Sequence, residues 1–504
     1  MKKLLSYAVI CCTLVSCGSF DEINLNPDAP TTVTPDFLAT NAILETTNSP
    51  ASKWYLSDTW ITKTTSFTEH MEWFLYNKFE RESFSSYHKL TNMRKMVELA
   101  EADETMSEGL KNSYRALNLF MQAYTFYGAT MAMGDVPCSE ALKGETESIF
   151  SPAYDPQEQV FATILKNLRE ASSLFGKGET FGGDPIYGGS PIAWQKAVNC
   201  FTLRVLNMLS NKQQVGDYNI QNLFEQVAAE SLMQNEAESY QRTYSATVSA
   251  QWFPFYFEIQ NYWSYPVLTS FFVDMLKELN DRRLFYYAEP APALADKSAD
   301  SFDAYSGVNP VLEYGQVQAE YNSGLHSSLN DRYHLVPEGE PIKFIAYSET
   351  QFILAEAALR GWKTPLSAKE HYNNGVRAAM QFTAEYTPEA YRHGVTIDDA
   401  YIDTYLNGKA AFNPAKGVEQ IMQQKLIGLF LHLKYNAYYD YRRTGYPAIP
   451  VDPATNQNEV KTQLPLRWMY PSEEYSQNKE NIEAAIQRQF GGSDTPNDVM
   501  WLLK

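Results

Sequence analysis

Seven histidines, at positions 70, 88, 326, 334, 371, 393 and 432, are the first residues to test for chemistry. None belongs to an HExxH pair, the spacing that sets two imidazoles on one helix face around zinc, so each reads as an isolated core or surface group. A nucleophile elbow requires GxSxG, and GGSPI at 188–192 lacks the last glycine. The chain contains no GxxxxGK[ST] phosphate loop, and no CxxC pair follows the first 17 residues. Glycoside hydrolysis asks only for two carboxyl groups roughly 5–10 Å apart. With 60 Asp and Glu in the chain, spacing neither supports nor excludes such a pair. The expectation is therefore a protein without a catalytic residue, a metal or a cofactor.

What stands out is aromatic. Phe, Trp and Tyr make up 14% of the chain, including 34 tyrosines, and they are unevenly placed. Trp252 to Phe272 reads WFPFYFEIQNYWSYPVLTSFF. Pro254 and Pro266 break any helix there, and Glu258, Gln260, Asn261 and Ser264 interrupt its apolar character, so it is not a membrane span. A second cluster holds Trp54, Tyr55, Trp60, Phe67, Trp73, Phe74, Tyr76 and Phe79. Most large aromatics pack in cores, but a flat ring beside amide and hydroxyl groups also suits a sugar, whose CH face stacks while its hydroxyls find partners. Rings crowded with Pro, Asn and Gln are hard to bury completely, because each unpaired amide costs about 1–3 kcal/mol. Trp73, Tyr76, Trp252, Tyr262 and Trp263 are the expected stacking platforms, with Asn261 as hydroxyl partner. Adjacent Tyr262 and Trp263 would face opposite ways in an extended segment, so at most one of them should touch ligand. If these fail, Tyr305, Tyr321 and Tyr333 in the 301–334 loops are the next candidates.

The chain opens MKKLLSYAVICCTLVSCGSF: two lysines, an apolar run from Leu4 to Val15, then small residues, the order of a secretory signal. The run is too short to span ~30 Å of hydrocarbon as a helix. Its end, LVSC, resembles a bacterial lipobox, in which the cysteine is acylated and becomes the first mature residue. Residues 1–16 then form a signal peptide, and Cys17 carries the lipid. Of the remaining cysteines, Cys138 and Cys200 could form at most one disulfide, and two buried free thiols are the simpler expectation.

A formal charge of −19, dispersed along the chain and without a basic run, argues against nucleic acid as a partner. Residues 17–45 form a lead segment in which Pro27, Pro30 and Pro35 exclude a regular helix over 21–41. From 46 to 504 the chain reads as one large, mainly α domain. Tyr114, Leu117, Met121, Tyr124, Gly128 and Met131 recur at helical spacing, as do Met422, Leu426, Leu429 and Leu433. Similar faces occur in 156–175, 191–211, 346–362 and 366–385. Paired helices with small residues inside suggest tetratricopeptide-like packing, without an exact 34-residue period. Long irregular stretches at 177–190, 286–340 and 446–470 would form a loop-rich ligand face.

Several segments taken together resemble one family. FYGATMAMGDVPCSEAL at 126–142, YDPQEQVFATILKNL at 154–168 and GGDPIYGGSPIAWQKAVNCFTLRVLNMLS at 182–210 are followed by ELNDRRLFYYAEP at 278–290 and FILAEAALRGW at 352–362. DYRRTGYPAIP at 440–450 and LPLRWMYPSEEYSQNKENIEAAI at 464–486 complete the set. In order and spacing they resemble the SusD/RagB nutrient-binding outer-membrane lipoproteins of Bacteroidetes, especially the SusD-like branch. That resemblance implies tetratricopeptide-like helix pairs supporting a ligand face. It also implies binding without hydrolysis, usually of an oligosaccharide and sometimes of a peptide, at the cell surface beside a SusC-like TonB-dependent transporter. It assigns no ligand-contacting position, and the matching Asp440, Arg442, Arg443 and Tyr446 read as scaffold. A peptide-binding lipoprotein of the same fold and a surface glycan hydrolase are the alternatives. An exposed strand edge would favour the first, and two carboxylates with separated pKa values the second.

Overall fold

The computed structural model describes residues 33–50, 52–256 and 265–504. The helices that position the site are α1 (Pro35–Thr46), α2 (Ser57–Ile61), α3 (His88–Ala102), α4 (Glu108–Met133), α5 (Gln157–Phe175) and α6 (Pro191–Met208). Later in the chain come α7 (Tyr347–Leu359), α8 (Ala368–Tyr386), α9 (Gly417–Gly428) and α10 (Asn436–Thr444). Local chemistry sets their ends. The Ser107 hydroxyl accepts from Leu110 N–H at the start of α4, and Gly134, at φ +100°, ends it in a conformation that favours glycine. Ser367 and Glu370 form a reciprocal capping box on α8.

Helices close in sequence pack in pairs, α4 on α5 and α7 on α8, as tetratricopeptide-like packing predicts. Small residues let them approach: a Cβ on Gly375 of α8 would meet the Phe352 ring of α7 at 2.8 Å. One ion pair and one amide hydrogen bond join α6 to α7. Arg204 Nε and Nη2 donate to Glu349 at 2.8 and 2.5 Å, and the Asn207 amide donates to Glu356 at 3.0 Å. Two large apolar cores result, one around α4–α6 and one that takes in Trp60, Phe67 and Tyr76 of the first aromatic cluster, Phe253, Phe255 and Phe272 of the second, and apolar residues of α7–α9; Phe74 and Phe344 pack against both.

Strands are short. β1 (Thr65–Phe67), β2 (Tyr240–Arg242), β3 (Pro266–Leu268) and β4 (Ile342–Ile345) pair antiparallel, β1 with β3 and β2 with β4. The first pairing sets Thr65 opposite Leu268 and so ties the two aromatic segments together. Cys138 and Cys200 are both buried and free.

Two expectations fail. Pro27, Pro30 and Pro35 are read as excluding a helix over 21–41, but α1 starts at Pro35: proline is tolerated at the first helical position, where its missing N–H would have no helical partner in any case. The Met422–Leu433 spacing predicts a helix through Leu433, but α9 ends at Gly428. Leu431, Leu433 and Tyr435 then take φ values of +65°, +50° and +63°, alternating with ordinary residues. Each such residue costs about 1–2 kcal/mol, which the surroundings must over-determine. Leu433 N–H donates to the Lys343 carbonyl at 3.2 Å and Tyr435 N–H to the Asp58 carboxylate at 2.9 Å, contacts that local periodicity does not encode.

Candidate functional site

A single 3₁₀ turn, Lys53–Leu56, leads into α2, and its Ser52 cap accepts from Trp54 N–H at 3.4 Å. After β1 a second 3₁₀ turn, Trp73–Tyr76, is stopped by Asn77 at φ +55°. Beneath the second turn lies Lys63, which is fully buried. Its ammonium donates to the Trp60, Phe74 and Leu75 carbonyls at 3.2, 3.1 and 2.6 Å and to Asn77 Oδ1 at 2.9 Å. The turn is thus drawn inward on its Leu75–Tyr76 side, and Trp73 is left facing out.

Among the described residues only two tryptophans are exposed, Trp54 at 49% and Trp73 at 44%. Both line one cleft of about 450 Å³, together with Phe74, Tyr435, Trp468 and charged groups. Its floor is a chain of rings in contact. Trp54 meets Trp60 and Phe74 edge-on at 6.2 Å each, Phe74 meets Phe79 at 5.5 Å, Phe79 stacks on Trp468 at 4.5 Å, and Trp468 meets Tyr435 at 5.1 Å. Rings braced in this way lose little freedom when a ligand stacks on the outermost ones.

Charged groups rim the floor. Lys53 Nζ lies 2.7 Å from Glu72, and His70 Nε2 lies 2.8 Å from the same carboxylate. Lys78 Nζ stands 4.0 Å from the centre of the Trp73 ring. Arg81 is engaged elsewhere, on Asp494 at 2.8 Å and the Tyr470 carbonyl at 2.7 Å. Glu80 and Glu82 also line the cleft. Burial raises the Glu82 carboxyl, against the Ser83 N–H and the charge of Lys434, which lower it. Two exposed indoles beside acceptors and donors can stack a sugar ring and hydrogen-bond its hydroxyls.

The placement of the expected residues is mixed. Trp73 stands in the cleft. Tyr76 is buried, only 5% exposed, with its hydroxyl donating to the Leu312 carbonyl at 3.1 Å, so its ring is core rather than platform. Trp252 is half-buried, donates through Nε1 to Ala246 O at 3.2 Å and meets Tyr256 edge-on at 5.1 Å; it does not line the cleft. Asn261, Tyr262, Trp263 and Cys17 lie outside the described residues. Of the reserve tyrosines, Tyr305 and Tyr333 are buried, and Tyr321 stacks on His326 at 4.3 Å. Trp54, the second exposed platform, belongs to the cluster recognised in sequence but was not singled out there, and nothing local to Tyr435 marks it.

The chain matches the family described as starch-binding and associating with the outer membrane over residues 27–471. No curated protein matches it. Among solved structures it is similar to a SusD homologue from Bacteroides fragilis, with 38% identity, a TM-score of 0.89 and coverage of 94% of this chain and 100% of that one. A second SusD homologue from the same organism shares 32% identity at a TM-score of 0.82, again over 94% and 100% of the two chains. A chitin-binding protein, at 22% identity, has the same fold with a TM-score of 0.73 over 93% of this chain and 99% of that one.

Proposed function

The chain belongs to the SusD-like family of starch-binding proteins associating with the outer membrane, and from that membership we propose that it is a cell-surface lipoprotein that binds an oligosaccharide in the Trp54–Trp73 cleft and passes it to a SusC-like TonB-dependent transporter. The observation that carries the reading is the convergence of the two exposed tryptophans on one cleft with a braced aromatic floor. A ring that needs both a flat apolar face and polar neighbours is the ligand such a surface rewards. A chitin-binding protein of the same fold is consistent with a glycan. The paired strands, two to four residues long, offer little edge for an extended peptide. Acylation at Cys17 would hold the protein at the membrane, and several acyl chains anchor firmly where one binds only marginally. Delivery across two surfaces would share the binding energy, so the isolated lipoprotein could bind its ligand weakly.

Calorimetry of the mature protein against a panel of neutral oligosaccharides, acidic oligosaccharides and peptides tests the reading. Saturable binding of at least one glycan, without hydrolysis, is expected. Binding confined to peptides, or release of reducing sugar during the titration, would replace it with one of the two alternatives.

A further inference from the structure

Trp54 belongs to two cavities. Besides the ligand cleft it lines a second space of about 70 Å³, with Asn48, Phe344, Leu431, Leu433 and Lys434. Asn48 and Lys434, like Trp54, are exposed and mark its mouth, whereas Leu431 and Leu433 are buried. Lys434 directly precedes Tyr435, a residue of the cleft, so Trp54 and the 434–435 step are the partition between the two spaces.

One polar group in this mostly apolar space lacks a full set of partners. Asp58 lines it, half-buried, and forms no ion pair among the described residues. Its Oδ1 accepts from Tyr435 N–H at 2.9 Å, which sets the carboxyl group at the partition, and its Oδ2 has no donor among the described residues. Lys343 and His432, which line the same space, face Glu236 at 2.8 Å and Glu340 at 3.4 Å instead. An acceptor in such surroundings calls for a donor. Size narrows the choice: at roughly 10–15 Å³ for each water-sized group, the space takes about five. A pyranose ring is too large, but the nitrogen, carbonyl carbon, oxygen and methyl of an acetamido group fit. A lone hydroxyl would leave the apolar wall uncovered, and a carboxylate would meet Asp58 as a like charge. The amide supplies an N–H for Asp58 and a methyl for the leucines.

On the reading of the cleft as an oligosaccharide site, on which this inference rests, we propose that the glycan contains an N-acetylated hexosamine whose acetamido group enters the cavity behind Trp54. The sugar ring stacks on the Trp54 indole. The acetamido group crosses the partition, its N–H donating to Asp58 and its methyl lying among Phe344, Leu431 and Leu433. Trp54 then acts as platform and as gatepost, which selects for the substituent as well as for the ring.

The test is calorimetry of the whole mature protein with pairs of oligosaccharides that share linkage and length and differ in one substituent: oligomers of N-acetylglucosamine against glucose, and of N-acetylgalactosamine against galactose. In at least one pair the acetamido member should bind at least about tenfold more tightly, the discrimination that a small group in a fitted pocket provides. An O-acetyl ester in its place, of similar shape but without the N–H, and a butanamide, too long for the space, should each forfeit that advantage. Asn48→Trp, which narrows the mouth, should erase the difference within the pair, and its thermal midpoint shows whether it is folded. Equal binding with and without the acetamido group, binding only of glycans that lack it, an ester or butanamide bound as tightly as the acetamide, or a folded Asn48→Trp variant that keeps the preference would each overturn the inference and leave the oligosaccharide site standing. Failure of every glycan, with or without binding of peptides, would remove that site and the inference with it.

Discussion

Lys63 Nζ donates to the Leu75 carbonyl at 2.6 Å, from a side chain with no exposed surface, and so ties the turn that carries Trp73 to the end of α2. Three main-chain carbonyls and one side-chain amide converge on the same ammonium. Lys63→Met would keep the volume and strip all four acceptors of their donor. An acceptor left dry costs roughly 1–3 kcal/mol, so a loss of at least about 2 kcal/mol in urea unfolding is expected. Ligand affinity should fall as well, because the Trp73 turn would no longer be held. A variant as stable as the parent would show that the clamp is dispensable.

The exposed platforms and the buried ring beside them should respond oppositely to truncation. Trp54→Ala and Trp73→Ala are expected to weaken oligosaccharide binding by about 1–3 kcal/mol, the range for loss of a stacking or anchoring aromatic, with nearly unchanged melting temperatures. Tyr76→Ala should cost about 3–5 kcal/mol of stability through the cavity it leaves. Calorimetry and thermal melts of the three variants decide this. Destabilised Trp variants that still bind at full strength would place the ligand elsewhere.

How far the sequence could lead is clear from these three rings. Helix positions were legible because spacing and caps are local: the faces expected at 156–175 and 366–385 became α5 and α8. The fold, through ordered segments along most of the chain, was legible as well. Within the aromatic cluster, however, Trp73 and Tyr76 differ by three residues and have opposite fates. What buries Tyr76 is the Leu312 carbonyl, 236 residues away, and no local pattern carries that contact. Tyr435 was hidden for a similar reason. The apolar period around it promises helix, and only the Asp58 carboxylate and the Lys343 carbonyl hold the left-handed turns that bring its ring to the cleft.

Asp58 makes stability depend on pH near neutrality. Burial raises its carboxyl from 3.8 to about 7, against the Tyr435 N–H and the charge of Lys434, which lower it. Folded protein therefore holds this proton where unfolded protein has lost it. The associated stability is fully present below about pH 4 and is lost as pH rises through about 7. Lys63 acts in the opposite sense. Burial lowers it from 10.5 to about 7, so its contribution is present above about pH 10.5 and is lost as pH falls through about 7. Together the two groups should produce a dip in stability near pH 7. Asp58→Asn keeps an acceptor for Tyr435 N–H and removes the charge, so its advantage over the parent should grow from pH 4 to pH 8. A difference between the two unfolding profiles that stays flat across that interval would rule Asp58 out as the cause.

Glu356 sets the acid limit of the helix scaffold. Its burial alone would raise the carboxyl, but the guanidinium groups of Arg443 and Arg360, with the Asn207 amide, outweigh that and hold it at about 2. Because the folded value lies below the ordinary 4.5, the sign is the reverse of Asp58: the stabilisation is present above about pH 4.5 and disappears as pH falls through about 2. The carboxylate also joins three elements, since Asn207 lies on α6, Glu356 and Arg360 at the end of α7, and Arg443 on α10. Glu356→Gln retains the shape but leaves two guanidinium groups facing a neutral amide in a buried cluster. Breaking such a pair costs about 3–5 kcal/mol. Near pH 7 the variant should melt well below the parent. Near pH 2, where the parent has begun to lose the same charge, the gap should narrow. Unfolding curves at the two pH values measure both expectations, and a gap that persists undiminished at low pH would mean that packing around residue 356, not its charge, supplies the stability.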